Sequence, residues 1–68
     1  MILQERLRSL STEKNETQAQ VAEAIGITWR QYQRFEVGTN LPGYQNFCAL
    51  ADHFGVSLDY LAGRTDKP

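Results

Sequence analysis

The sequence predicts an all-α fold, a compact bundle of five helices in a single domain. Three features predict it. Apolar residues recur at helical spacing along the whole chain. Glycines stand just past those periodic segments, where helices end. No stretch alternates apolar and polar residues between turn signals, as a strand would.

Leu3, Leu7 and Leu10 are spaced i, i+4, i+7 and predict a first helix over 2–14. Val21, Ala22 and Ile25 line one side of a second, over 18–25, ended by Gly26. Thr28, Tyr32 and Phe35 line one side of a third, over 29–36, ended by Gly38. Phe47, Leu50, Ala51 and Phe54 form the stripe of a fourth, over 44–54, ended by Gly55. A short fifth follows over 57–61, with Ser57 as its N-cap and Gly63 beyond it. Pro42-Gly43 reads as a turn. The second and third helices open alike, since Thr17-x-x-Gln20 and Thr28-x-x-Gln31 both match the capping box. Only Gly26-Ile27-Thr28 separates these two helices. A turn that short, entered through a glycine able to adopt positive φ, makes them cross steeply.

Composition limits the function. A chain of 68 residues buries about 60% of its unfolded surface, enough for one modest core. Apolar and charged fractions of 41% and 22% are those of a globular protein, not a disordered one. Cys48 is the only cysteine, which excludes an intramolecular disulfide and a cysteine zinc cage and fits a reducing cytoplasm. No apolar run reaches the length of a membrane span. Charged Glu5, Arg6 and Arg8 interrupt the start, which is therefore not read as a signal peptide. The net charge of −1 excludes a uniformly basic coat. Any nucleic-acid contact must come from the placement of the charges.

Residues Gln18 to Val37 read QAQVAEAIGITWRQYQRFEV. Val21, Ile25, Ile27, Tyr32 and Phe35 are apolar where two crossed helices must be held together. Ala22 is small where they approach, and Gly26 makes the turn. This stretch resembles the helix-turn-helix of the phage-repressor-like family, the Cro and Xre type. Thr17-Gln18 resembles the family's opening of its second helix, and Phe35-Glu36-x-Gly38 the end of its recognition helix. Ala51-Asp52-x-Phe54-Gly55-Val56-Ser57-Leu58-Asp59-Tyr60-Leu61 resembles its closing signature. The resemblance covers nearly the whole chain. It implies a lambda-repressor-like DNA-binding domain over 1–63; the tail over 64–68 reads as frayed from its polar composition. It also implies sequence-specific binding of double-stranded DNA as a homodimer, on a palindromic operator, by a transcriptional repressor of phage, mobile-element or antitoxin type. No cofactor or metal is implied.

Three residues depart from the family pattern. Ser11 stands where many members carry an arginine paired with the glutamate matching Glu36, so Glu36 needs another partner. Glu16 replaces an apolar residue at the entrance to the second helix. Gly43 replaces a Ser/Thr cap on the fourth.

The third helix can be read without the family. Arg30, Gln33 and Arg34 fall opposite Thr28, Tyr32 and Phe35, with Trp29 on the flank. An arginine presents a planar fork to guanine O6 and N7, and a glutamine can donate to and accept from adenine. Trp29 can pack on a thymine methyl or a sugar, or equally on the helix flank or a dimer partner. The bland reading of Arg30, Gln33 and Arg34 is a solvated face. The resemblance places base reading at Trp29, Arg30 and Arg34, with Gln33 beside them. Phosphate positioning falls to Gln18 and Thr17 at the start of the second helix, to Thr28 at the start of the third, and to Thr39 and Asn40 in the loop after it. Residues 28–43 carry two arginines and one glutamate, a weakly favourable face that predicts a shallow salt slope.

Phe47, Leu58 and Tyr60 are candidates for a dimer contact, although each also suits the core. No catalytic residue is assigned. His53 is the only histidine and reads as a surface residue off the apolar stripe. Cys48, five positions away, is badly placed to pair with it on one helix, and no phosphate loop or metal spacing appears. The runner-up function is a protein-interaction module on the same fold, such as an antirepressor or a regulator's partner.

Overall fold

The computed structural model describes residues 2–68. Its five helices are α1 (Ile2–Glu13), α2 (Gln18–Ile25), α3 (Trp29–Val37), α4 (Tyr44–Phe54) and α5 (Leu58–Ala62). These are the expected helices, with ends moved by at most one residue. Helix α1 packs on α3 and α5, α2 on α3 and α4, and α4 on α5. Each helix contributes one fully buried side chain to a single core: Leu7, Val21, Tyr32, Leu50 and Leu61. Leu3, Leu10, Ala22, Phe35, Ala51 and Phe54 complete it.

Both capping boxes form. Thr17 Oγ1 accepts from the Gln20 amide at 3.1 Å, while Gln20 Oε1 accepts from the Thr17 amide at 2.8 Å. The Thr28–Gln31 pair repeats this at 3.2 and 3.1 Å. Such a cap contributes about 1 kcal/mol, which matters for helices of eight and nine residues. Gly26 adopts φ 81°, and its amide and that of Ile27 both reach Ala22 O at 3.0 Å. The left-handed residue closes α2 and starts α3 at its crossing angle without a Cβ clash.

Four expectations are corrected by tertiary contacts. The tail over 64–68 is not frayed. Arg6 Nη1 donates to Tyr60 O and Thr65 O, both at 2.7 Å, and Nη2 meets Asp66 Oδ1 at 3.2 Å. The Ser57 amide also donates to Pro68 O at 2.9 Å. His53 is not a free surface residue, because its Nε2 lies 2.8 Å from Glu16 Oε1. Their side chains are only 18% and 22% exposed. This contact also explains Glu16, whose carboxylate ties the entrance of α2 to α4 where an apolar side chain was expected. Thr28 is exposed as the N-cap of α3 and is no part of the core side. Gln33 is half-buried, not fully outward.

Candidate nucleic-acid interface

Helix α3 has sharply divided faces. Tyr32, Phe35 and Glu36 are buried, while Trp29, Arg30 and Arg34 are exposed. Arg30 and Arg34 stand one turn apart on the outer side, and neither meets a carboxylate among the described residues. Burial of Glu36 removes the only acidic group of this segment from the surface. The exposed charge of α3 is therefore wholly positive, a stronger bias than the sequence count suggests. Trp29, the first residue of α3, is 47% exposed beside the amides of the helix N-terminus.

Glu36 is 6% exposed and has no arginine partner from position 11. Two neutral donors replace it. Gln18 Nε2 donates to Glu36 Oε1 at 3.2 Å, and the single Ser11 hydroxyl proton is shared between Glu36 Oε2 at 3.4 Å and Arg8 O at 3.1 Å. Arg8, from α1, donates through Nε to the Glu36 backbone carbonyl at 3.1 Å. Two helices, α1 and α2, thus converge on one residue of α3. Tyr32 completes the cluster. Its hydroxyl is buried facing Glu36 and Ser11 without reaching hydrogen-bond geometry with either. Burial, reinforced by the neighbouring Glu36 carboxylate, pushes the phenol far above its ordinary titration range.

The nine residues singled out as DNA contacts fall in three places. Trp29, Arg30 and Arg34 share the outer side of α3, with Gln33 partly covered beside them. Thr17 and Gln18 open α2, and Thr28 opens α3. Both threonine hydroxyls accept the capping amides, and the Gln18 carboxamide is anchored to Glu36. Thr39 and Asn40 are exposed after α3. Their amides, with that of Gly38, turn inward onto Arg34 O at 3.0 to 3.4 Å. The loop therefore offers side chains rather than amides, and the Thr39 hydroxyl also reaches Arg34 O at 3.4 Å. Arg8 was not singled out at all. Helical spacing on α1 marks it as a surface residue, and only the packing of α1 on α3 brings it to this site.

The candidate dimer residues Phe47, Leu58 and Tyr60 are partly buried against the core. Among the described residues, the large apolar side chains left exposed are Ile2, Trp29, Val37, Leu41 and Tyr44. A shallow apolar cleft lined by Leu3, Leu41, Pro42, Phe47 and Ala62 lies between α1 and the α3–α4 loop. Among the described residues, no cluster of His, Cys, Asp and Glu is arranged to hold a metal. No described helix is long and apolar enough to cross a membrane.

The chain is 41% identical over 64 residues to the cryptic phage CTXphi transcriptional repressor RstR of Vibrio cholerae serotype O1, covering 94% of this chain and 57% of that protein. It is 38% identical, with the same coverage, to the uncharacterized HTH-type transcriptional regulator YobD of Bacillus subtilis. The chain therefore spans little more than half the length of these relatives. Its fold matches the crystal structure of the P22 c2 repressor in complex with a synthetic operator, with a TM-score of 0.86 and 24% identity, over 90% of this chain and 92% of that one. Residues 7–61 match the helix-turn-helix family. By that match and by its capped, glycine-turned α2–α3 pair, the chain belongs to the helix-turn-helix family, of the Cro and Xre type that its motifs resemble.

Proposed function

We propose that this chain is the DNA-binding part of a transcriptional regulator, a repressor that reads double-stranded DNA sequence-specifically through α3. The observation that carries the reading is the outer side of α3. Arg30 and Arg34 stand there free of carboxylates, on a helix whose only acidic side chain is buried. A nine-residue helix is about 13 Å long and fits a major groove about 12 Å wide. Arg30 and Arg34 take guanine edges, Gln33 an adjacent base, and Trp29 an apolar base edge or sugar. Gln18, Thr17 and Thr28 at the two helix starts, with Thr39 and Asn40, hold phosphates and set the register. Two copies act as a homodimer on a palindromic operator whose half-sites lie about one helical turn, roughly 34 Å, apart. The repressor named RstR and the operator-bound P22 c2 repressor support this reading.

The test is selection from a randomised duplex pool, titrated with salt, using the wild type beside the Arg30→Ala/Arg34→Ala double variant. Enrichment of a palindromic site that the double variant loses is expected. No enrichment at low salt by folded protein overturns the reading and favours a protein-interaction module.

A further inference from the structure

The C-terminal end of α3 is poorly suited to an anion by itself. Its last carbonyls carry the negative end of the helix dipole. The amides of Gly38, Thr39 and Asn40 do not offset them for a ligand, because they are turned onto Arg34 O. Glu36 lies seven residues past Trp29, about 10 Å along the axis. With the first turn of α3 among base edges, its last turn therefore stands at the lip of a groove about 12 Å wide. Phosphates line that lip.

Arg8 supplies a cation there. Its Nε donates to Glu36 O at 3.1 Å, which leaves the rest of its guanidinium fork to point elsewhere. The residue is exposed. The other arginines outside α3 are committed: Arg6 holds the tail and Asp66, and Arg64 pairs with Asp59. Arg8 meets no carboxylate among the described residues. One turn earlier on α1, Gln4 lies against Gly38. One turn later, Ser11 meets the Glu36 carboxylate. The row Gln4–Arg8–Ser11 thus runs along the end of α3 and brings Arg8 to the same residue that anchors Gln18.

We infer that Arg8 is a phosphate-binding residue of the DNA interface, fixed at the end of α3 by its bond to the Glu36 carbonyl. This rests on the DNA-binding reading above. The planar fork suits a phosphate, and anchoring through Nε removes much of the side-chain freedom that binding would otherwise have to restrict.

The experiment measures the salt dependence of binding to the selected duplex and to a scrambled one. Wild type is compared with Arg8→Ala, Arg8→Gln, Arg8→Lys and, as a charge control, Arg64→Ala, with a thermal melt of each. Loss of the Arg8 charge is expected to make the log–log salt slope shallower by about 0.9 per monomer. It also weakens binding to both duplexes alike, about eightfold per lost contact at 0.1 M salt. Arg8→Lys keeps the slope, and Arg64→Ala leaves slope and affinity unchanged. Arg8→Gln can still donate to Glu36 O, so it reports on the charge if Arg8→Ala fails to fold. An unchanged slope in the uncharged variants reduces Arg8 to a staple between α1 and α3. Equal effects of Arg64→Ala make the result one of overall charge and overturn the inference. If the wild type binds neither duplex, the DNA-binding reading itself falls.

Discussion

Tyr32 is the largest fully buried side chain, and its hydroxyl is the one buried polar side-chain atom among the described residues without a hydrogen-bond partner. In the unfolded chain that hydroxyl is bonded to water. Leaving it unpaired in the core costs about 1–3 kcal/mol. Tyr32→Phe removes this cost and forfeits the packing of one oxygen and its approach to Glu36 and Ser11, so a net gain of about 1 kcal/mol is expected. For a domain of this size that raises the melting temperature by about 4–8 °C. The pH dependence gives a second signature. The unfolded phenol ionises near its ordinary value of about 10, while burial beside Glu36 keeps the folded one protonated well above it. Above that pH the unfolded chain holds fewer protons than the folded one, so stability falls as pH rises, by up to about 1.4 kcal/mol per pH unit. Phenylalanine lacks this loss, and the advantage of the variant should widen in alkali. Urea denaturation of both proteins at pH 8 and pH 10.5 reads the difference, with Tyr44 and Tyr60 common to both. A variant less stable than the wild type at pH 8, or an advantage identical at both pH values, would refute the picture of an unpaired buried phenol.

Phe35→Ala should destabilise the fold by about 3–5 kcal/mol, since Phe35 is buried in the same core. A melt within a few degrees of wild type would contradict its placement. Arg30→Ala and Arg34→Ala should each cost about 1–3 kcal/mol of specific DNA binding and leave the melt almost unchanged, because both side chains are exposed. Unfolding of either variant would show that the outer side of α3 is misassigned. A double-mutant cycle on Glu16 and His53 should give a coupling of about 1 kcal/mol for their 2.8 Å contact. Additive single effects would mean that the contact contributes nothing in solution.

Much of this protein is legible in local sequence. The helices, both capping boxes and the turn at Gly26 rest on interactions within a few residues, so spacing and residue type are enough to place them. The outer side of α3 is legible for the same reason, because a helical wheel separates Arg30 and Arg34 from Tyr32 and Phe35. Contacts between distant residues are not legible in this way. His53 looks like a surface histidine on its own helix, since nothing near it in sequence announces Glu16. The tail looks frayed because its own composition is polar, yet Arg6 supplies its donors from the opposite end of the chain.

The site divides along the same line. Residue pattern alone determined that the chain is helical, that it carries a helix-turn-helix and that α3 presents two arginines. Those properties follow from backbone periodicity and capping chemistry. Only the tertiary structure decided what surrounds Glu36. A buried carboxylate must be bonded wherever donors can be found, and the donors come from two other helices at once. Gln18 and Ser11 replace the expected arginine at its oxygens, and Arg8 arrives at its carbonyl. That convergence depends on how α1 and α2 lie across α3, a geometry set by packing of the whole core and written in no single segment.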